Sequence, residues 1–222
     1  MIQLRDVSRS YPNSGAALDR VTGEFAEHEF CAITGPSGCG KSTLLHILGG
    51  LDSVSSGEVF VNGIGLHAAS ESQLTAYRRT GVGVVFQFFN LLPTMTVAEN
   101  VGLPLLLAGA PMARVTARVE ELLDLVGLTA RRGHFPHQLS GGQMQRTAVA
   151  RALIHEPKLL LADEPTGNLD SASAGQVMEL LQKIASQRRT TLLVVTHSEE
   201  VALVATRRIQ MRDGKIVPST TP

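Results

Sequence analysis

A glycine-rich segment between two apolar stretches constrains the fold of this 222-residue chain more than any other feature. The apolar run Phe30–Ile33 comes first and predicts a short buried strand. The next residues match the pattern G-x-x-x-x-G-K-[ST], namely Gly35, Pro36, Ser37, Gly38, Cys39, Gly40, Lys41 and Ser42. Beyond Thr43, apolar residues keep the spacing of one helix face up to Gly49-Gly50, and these are Leu44, Leu45, Ile47 and Leu48. Strand, loop and helix in this order predict an α/β fold.

With a strand before it and a helix after it, this pattern predicts a phosphate-binding loop. Glycines allow consecutive backbone N–H groups to point at phosphate oxygens, and the helix N-terminus adds positive potential. Lys41 is expected to reach the β- and γ-phosphates of a nucleoside triphosphate, and Ser42 to offer its hydroxyl to Mg²⁺. The alternative, a glycine-rich turn with a solvated lysine, does not explain the flanking strand and helix.

Composition and charge argue against nucleic-acid-binding, secreted, membrane-spanning and disulfide-rich classes of protein. The 20 basic residues balance the 20 acidic residues, so the chain lacks the net field that draws proteins onto nucleic acid or anionic lipid. Met1–Ser10 lacks the pattern of a secretion signal, and the longest apolar stretch, Leu103–Ala110, is too short to span a bilayer. Cys31 and Cys39 form neither a disulfide framework nor a metal-ligand pattern. We expect one cytoplasmic domain that binds no nucleic acid.

The remaining sequence divides into sheet-forming and helical parts. Residues 1–34 alternate apolar and polar positions, which predicts a small antiparallel sheet. Residues 90–155 are predicted to be mostly helical, with a capping box at Thr96 and Glu99. A second helical pattern in this region continues until Gly127 and consists of Val115, Val119, Leu122 and Val126.

Two later apolar runs, Leu159–Ala162 and Leu192–Val195, are too short for helices and predict strands buried on both faces. A helical pattern lies between them, formed by Val177, Leu180, Leu181 and Ile184. Strand, helix and strand in succession predict a parallel sheet with helices on its faces.

The first of these strands ends in two acids, Asp163 and Glu164. Ligands of open α/β sheets lie at the carboxyl ends of the strands, so Asp163 is a candidate for holding Mg²⁺. Glu164 is a candidate for orienting and deprotonating a water molecule, a role that contributes about 10²- to 10⁴-fold in rate. An acidic pair alone more often marks a solvated turn, and the phosphate-binding loop upstream favours the catalytic interpretation.

The segment Ser140, Gly141, Gly142 and Gln143 has two interpretations that are compatible. Ser140 and Gln143 suit the capping box of a helix that runs through Ala148. The segment also resembles the signature motif of ABC ATPases, and the following residues up to Leu153 are similar to that family too. The resemblance implies that this helix end contacts the γ-phosphate of ATP that a second copy of the chain holds in its phosphate-binding loop.

The resemblance covers essentially the whole chain. It implies an α/β fold with a P-loop NTPase (ABC ATPase) core, a mostly parallel sheet, an N-terminal antiparallel β subdomain and an inserted helical lobe. The core would comprise residues of about 1–86 and 156–222, and the lobe residues of about 87–155. By resemblance, four further residues have roles: Tyr11 stacks on adenine, Gln87 senses Mg²⁺ and the attacking water, Asp170 lies in a loop that crosses the dimer interface, and His197 hydrogen-bonds the γ-phosphate. Tyr11 and His197 taken alone would more often be structural residues.

The segment Phe86–Pro93 and the segment Pro165–Asp170 resemble the lipoprotein-release and macrolide-export branch of the family, which is LolD- and MacB-like. Methionine and amino-acid importer ATPases share parts of this pattern. The implied partners are a second copy of the chain and separate integral-membrane permease subunits of FtsX-like character. The implied location is the inner face of the cell membrane, through the permease. Val54 stands where many relatives carry proline.

Several alternatives stay open at this stage. Apolar residues beside Gln87 suit a groove for a partner's helix or the lobe's own core equally well, and they are Phe88, Phe89, Leu91 and Leu92. One rival function is a soluble ABC ATPase that acts on nucleic acid, and the balanced charge disfavours it. Another rival is a nucleotide-binding regulator without turnover, and the presence of Glu164 and His197 disfavours that function.

Overall fold

The computed structural model describes residues 1–12, 15–188 and 190–217. The strands are β1 Ile2–Tyr11, β2 Gly15–Phe25, β3 Phe30–Thr34, β4 Ser56–Val61, β5 Ile64–Gly65, β6 Val82–Val85, β7 Leu159–Asp163, β8 Thr191–Val195, β9 Arg207–Arg212 and β10 Lys215–Val217. The α-helices are α1 Lys41–Leu48, α2 Glu71–Thr80, α3 Val97–Leu107, α4 Met112–Leu125, α5 Gly141–Leu153, α6 Ser171–Arg188 and α7 Glu199–Leu203. Short 3₁₀ turns occur at Leu66–Ala68, Thr129–Arg131 and Pro136–Gln138.

An antiparallel sheet contains the N-terminal strands in the order β2-β1-β4-β5. Strand β1 pairs on one side with β2, through Ile2 and Phe25, and on the other side with β4, through Ile2 and Val61. The predicted boundary of this sheet was wrong in two respects. Strands β4 and β5 come from beyond residue 34, and β3 joins the other sheet. Strand β3 is buried over Phe30–Ile33 and therefore suits a central strand covered on both faces.

The second sheet has the order β10-β9-β3-β8-β7-β6 and is parallel except for the hairpin of β9 and β10 at its edge. The predicted strands Leu159–Ala162 and Leu192–Val195 are neighbours in it, with Leu160 paired to Leu192. Helix α6 connects them as predicted. Because parallel strands end at the same edge, the residues that follow β3, β6, β7 and β8 are brought together there.

The parallel sheet separates two hydrophobic clusters. Leu160 of β7 packs on one side in a cluster that includes residues of α3, α4, α5 and α6. Its neighbours Leu159 and Leu161 pack on the other side with α1 and the antiparallel sheet. Alternate side chains of one strand thus enter different cores, which explains why the strand is continuously apolar.

Helix ends in the region 87–155 follow the sequence signals. Thr96 and Glu99 form the predicted capping box of α3, and Ser140 and Gln143 form that of α5. Helix α4 ends just before Gly127, whose φ of 66° is a backbone conformation that glycine adopts readily. Helices α3, α4 and α5 all lie within this range, and its treatment as a separate lobe stays a prediction.

No helix among the described residues is both long enough and apolar enough to cross a membrane.

We predict that Leu122→Ala lowers the free energy of unfolding by about 2–5 kcal/mol, because it leaves a cavity where a fully buried side chain packs. Leu122 is 0% exposed, whereas Leu107 on α3 is 67% exposed and provides a matched leucine control. Leu107→Ala should change stability by no more than about 0.5 kcal/mol. Urea unfolding monitored by circular dichroism measures the free energy of unfolding of both variants. Similar losses in the two variants would contradict the assignment of Leu122 to the core.

Candidate active site

The glycine-rich loop lies between β3 and α1, at the carboxyl edge of the parallel sheet. Gly40 is the residue before α1, has a φ of 101°, and provides no side-chain cap for the helix. A Cβ at this position would lie 2.3 Å from the carbonyl oxygen of Ala17, so the close approach of β2 requires glycine. A Cβ on Gly38 would instead meet nothing within 4 Å. The loop therefore leaves open space beside its backbone at Gly38.

Lys41 begins α1 and is only 6% exposed. Its Nζ donates hydrogen bonds to the carbonyl oxygens of Gly35 and Pro36, at 2.8 and 2.9 Å. These oxygens carry no formal charge, so they hold the ammonium in place without neutralising it. The ammonium charge and the N-terminus of α1 together make the loop attractive to anions.

Ser42 and Asp163 meet across the edge of the sheet. The Ser42 hydroxyl donates a hydrogen bond of 3.0 Å to Asp163 Oδ1 at the end of β7. Burial raises the pKa of Asp163 above its ordinary value, because desolvation disfavours the charged carboxylate. A hydroxyl and a carboxylate are oxygen donors of the kind that Mg²⁺ prefers.

Glu164 and His197 form a second contact at this edge. Glu164 Oε2 lies 2.8 Å from His197 Nδ1 and also accepts a 3.3 Å hydrogen bond from the His197 backbone N–H. Glu164 has a φ of 44°, an uncommon conformation for a residue other than glycine. Its backbone N–H donates to the carbonyl of Val195 at the end of β8. Strands β7 and β8 thus fix the carboxylate and the imidazole relative to each other.

Gln87 and the loop at 167–170 lie next to Glu164. A Cβ on Gly167 would lie 3.2 Å from Gln87 Nε2 and 3.6 Å from the Glu164 Cβ, so these residues are close neighbours. Asn168 Nδ2 donates to the Gln87 carbonyl at 3.1 Å. Asp170 accepts a 3.0 Å hydrogen bond from the Ser173 N–H in the first turn of α6, and backbone hydrogen bonds lower the pKa of its carboxyl. In the single chain, Asp170 therefore caps α6.

The N-terminus of α5 does not contact the glycine-rich loop through its glycines. The nearest neighbours of a Cβ on Gly141 would be Leu169 and Asn168, and those of a Cβ on Gly142 would be atoms of Ser173. Ser140 accepts a hydrogen bond from Gln143 N as the helix cap. The structure therefore gathers most of the predicted site at one edge of the sheet, whereas the nearest neighbours of the α5 glycines belong to residues 168–173 and to Phe89.

Tyr11 ends β1 and pairs with Gly15, close to the point where Ala17 of β2 meets Gly40. The Tyr11 hydroxyl donates a 2.5 Å hydrogen bond to Asp52 Oδ2, and the Arg9 guanidinium carbon lies 4.7 Å from the ring centroid. The sequence carries no local signal for the contacts of Arg9 and Asp52 with Tyr11. Arg-x-Tyr spacing places both side chains on one strand face, but it does not indicate an acid more than forty residues away.

A groove of about 350 Å³ lies next to Gln87. Its lining consists of Gly49, Leu51, Arg78, Val82, Gly83, Val84, Phe86, Asn90, Pro104, Arg151, Ala152 and His155. Phe88 is 73% exposed and Leu92 is 40% exposed, whereas Phe89 and Leu91 are half-buried. Arg151 donates hydrogen bonds to the carbonyls of Phe89 and Asn90 and so holds this segment on α5. These apolar residues were expected either to line a surface groove for a partner's helix or to form the lobe's own core. The exposure of Phe88 and Leu92 fits a position on the surface.

Known proteins resemble this chain in sequence. Residues 18–167 match the family model described as ABC transporter. The lipoprotein-releasing system ATP-binding protein LolD of Geobacter metallireducens is 43% identical over 98% of this chain and 98% of its own. The macrolide export ATP-binding/permease protein MacB of Rhodospirillum rubrum is 46% identical over 98% of this chain, which corresponds to 34% of its own length.

Solved structures agree with the fold. A bacterial ABC transporter cassette solved as a dimer has a TM-score of 0.91 and 41% identity, over 98% of this chain and 97% of its own. A post-hydrolysis state of such a cassette, bound to ADP and Pi, also has a TM-score of 0.91, with 40% identity. These findings confirm the predicted fold class. The chain therefore belongs to the ABC transporter family and is an ATP-binding and ATP-hydrolysing subunit of a transporter.

Proposed function

We propose that two copies of this chain close around two molecules of Mg-ATP, hydrolyse them, and pass the resulting movement to a separate integral-membrane permease. One observation carries the proposal: Lys41, Ser42, Asp163, Glu164 and His197 meet at one edge of the sheet. The signature glycines of the same chain contact residues 168–173 instead. A second copy is then needed to bring an α5 N-terminus to the γ-phosphate.

The residues at this edge suit Mg-ATP. The space beside Gly38, the ammonium of Lys41 and the N-terminus of α1 suit the phosphates, with the backbone N–H groups of Gly35, Ser37, Gly38, Cys39, Gly40, Lys41, Ser42 and Thr43 as donors. Pro36 has no N–H, and its carbonyl instead accepts a hydrogen bond from Lys41 Nζ. The described residues contain no cluster of three His, Cys, Asp or Glu side chains that would bind a metal alone. Ser42 and Asp163 instead suit Mg²⁺, which proteins commonly hold through few side chains and substrate phosphates.

When bound, Mg²⁺ would neutralise charge on the phosphates. Lys41, held by the carbonyls of Gly35 and Pro36, would contribute a fixed positive charge to the same phosphates. A cation beside Asp163 would stabilise its charged carboxylate, which burial otherwise disfavours. Gln87 and Glu164 are both neighbours of Gly167. The side-chain amide of Gln87 would therefore contact the cation and the attacking water.

Glu164 is the proposed general base. Its Oε2 accepts hydrogen bonds from His197 Nδ1 and N, which orients the carboxylate. The carboxylate takes a proton from water as the water oxygen attacks the γ-phosphorus, and the bond from that phosphorus to the bridging oxygen of ADP breaks. The second nitrogen of the His197 ring then serves as the group that contacts the γ-phosphate.

The remaining predicted residues complete the site. Tyr11 stacks on adenine and contributes about 1–3 kcal/mol, by comparison with base stacking on other aromatic side chains. Ser140, Gly141, Gly142 and Gln143 of the second copy meet the γ-phosphate, and Asp170 lies in the loop between the two copies. Closing of the dimer thus joins the two halves of each site.

We assign the groove beside Gln87 to a helix of the permease. Phe88 and Leu92 are exposed, lie two residues before and after the groove-lining Asn90 in the sequence, and would bury apolar surface on binding. The permease is proposed to be a separate polypeptide, since the LolD relative is matched over 98% of its own length. The names of the LolD and MacB relatives support lipoprotein release or macrolide export as the type of transport. The permease would hold the chain at the inner face of the membrane.

Glu164→Gln should lower the ATPase rate by about 10²- to 10⁴-fold while leaving ATP binding intact, because the amide cannot take the proton. With Mg-ATP, this variant should form a stable dimer in size-exclusion light scattering and return to a monomer without nucleotide. Glu120→Gln changes an exposed carboxylate on α4 and is the control, with wild-type turnover expected. Wild-type turnover in Glu164→Gln would show that the base lies elsewhere.

Gly38→Ala should weaken ATP binding by at least about tenfold, because the new methyl group fills the space proposed for phosphate. Gly109, which follows α3, is a matched control: its φ of 77° is close to the 76° of Gly38, and a Cβ there also meets nothing within 4 Å. Both substitutions should cost about 1–2 kcal/mol of stability through backbone strain. Calorimetric titration measures the ATP affinity of each variant, and Gly109→Ala should bind ATP as tightly as the wild type. Equal affinity in the two variants would contradict a phosphate site at Gly38.

A further inference from the structure

Three side chains form a compact cluster near the C-terminal end of α1, the helix that begins at the glycine-rich loop. Arg9 binds Asp52 through two nitrogens, with Nη2 2.5 Å from Oδ1 and Nε 3.1 Å from Oδ2. The Tyr11 hydroxyl donates to the same Oδ2 at 2.5 Å, and the Arg9 guanidinium carbon lies 4.7 Å from the Tyr11 ring centroid. The side chains of Arg9 and Asp52 are only 20% and 18% exposed, so solvent weakens these contacts less than it weakens those of a surface pair.

The cluster fixes both the position and the plane of the Tyr11 ring. A tyrosine side chain turns about two bonds, and an aromatic residue at the end of a strand has few neighbours to restrict it. Here the hydroxyl is held by Asp52, and one ring face is covered by the guanidinium of Arg9. A planar ligand can therefore stack only on the opposite face of the ring.

Helix α1 connects this cluster to the phosphate-binding loop. The backbone N–H groups of Leu51 and Asp52 both donate to the carbonyl of His46 in the last turn of α1, at 2.9 and 3.3 Å. The same helix begins at Lys41. One end of α1 thus holds the ammonium that faces phosphate, and the other end holds the carboxylate that anchors Tyr11.

We propose that Arg9 and Asp52 are positioning residues for the nucleotide base: they hold the Tyr11 ring at a fixed distance and angle from the phosphate-binding loop. The inference rests on the proposed stacking role of Tyr11 and goes beyond it, because it assigns the base-dependent part of ATP affinity to an ion pair that does not touch the nucleotide. Phosphate binding and the chemical step do not depend on this pair.

Asp52→Asn and Tyr11→Phe should each raise the KM for ATP about two- to tenfold, the factor that corresponds to one net hydrogen bond. The kcat should stay within about twofold of wild type, and the Kd for Mg-tripolyphosphate, which has no base, should not change. The double variant should be no worse than Asp52→Asn, because that substitution already weakens both the Arg9 ion pair and the acceptor of the Tyr11 hydroxyl. Tyr11→Ala removes the ring and should raise the KM most.

The chain has a matched control on the same strand. Arg5 pairs with Glu58 at 3.2 Å, and its guanidinium carbon lies 5.1 Å from the Phe60 ring centroid, which repeats the arrangement away from the loop. Arg5→Met and Glu58→Gln should leave the KM for ATP unchanged. Thermal melts of all variants check that each is folded.

Three outcomes would overturn the inference. An unchanged KM in Asp52→Asn, with a raised KM in Tyr11→Ala, would leave Tyr11 as the stacking residue and remove the role of Arg9 and Asp52. An unchanged KM in Tyr11→Ala would remove the stacking role as well, while the Glu164→Gln experiment would still test dimer closure by itself. An equal loss of tripolyphosphate affinity in Asp52→Asn would mean that the cluster only supports the fold of the loop.

Discussion

Burial of the parallel strands on both faces is the constraint on which the site depends. Strands β3, β7 and β8 contain the continuous apolar runs Phe30–Ile33, Leu159–Ala162 and Leu192–Val195, and β8 pairs with both of the others. Their register cannot slip without moving side chains between the two cores. Their carboxyl ends therefore stay aligned. The glycine-rich loop follows β3, Asp163 ends β7 and Glu164 follows it, and His197 lies two residues after β8. The relative positions of these proposed site residues thus result mainly from the packing of apolar side chains in the strands that precede them.

The sequence predicts those features that have a local signal. Continuous apolar runs at Leu159–Ala162 and Leu192–Val195 predicted strands of a parallel sheet, which the structure confirms and shows to be adjacent. The cap at Ser140 and Gln143 formed as expected. The pairing of β1 with β4 was missed, because short alternating strands do not specify partners that lie about fifty residues away. The contact of Arg9 with Asp52 was missed for the same reason. Exposure of Phe88 was undecided, since periodicity does not distinguish a buried face from a surface groove.

The site residues form two groups with different partners. Within the chain, Ser42 contacts Asp163, Glu164 contacts His197, and the carbonyls of its own loop hold Lys41, so the positions of these residues are set before any ligand binds. Ser140–Gln143 form a helix end of the kind that binds anions, and the nearest neighbours of its glycines lie at 168–173. The groove is lined by Phe86, the residue before Gln87. In this account, ATP joins the first group of one copy to the helix end of another, and a permease helix in the groove responds to that closure.

The central claim is that the α5 N-terminus of a second copy completes each site, and a charge substitution tests it directly. Ser140→Asp keeps a good helix cap but places a negative charge where the γ-phosphate would lie. Ser70→Asp on α2 is the control, since Ser70 and Gln73 form the same capping box there. In the Glu164→Gln background, light scattering with Mg-ATP should show a monomer for Ser140→Asp and a dimer for Ser70→Asp. Equal dimer formation would show that the α5 end is a helix cap and no part of the site.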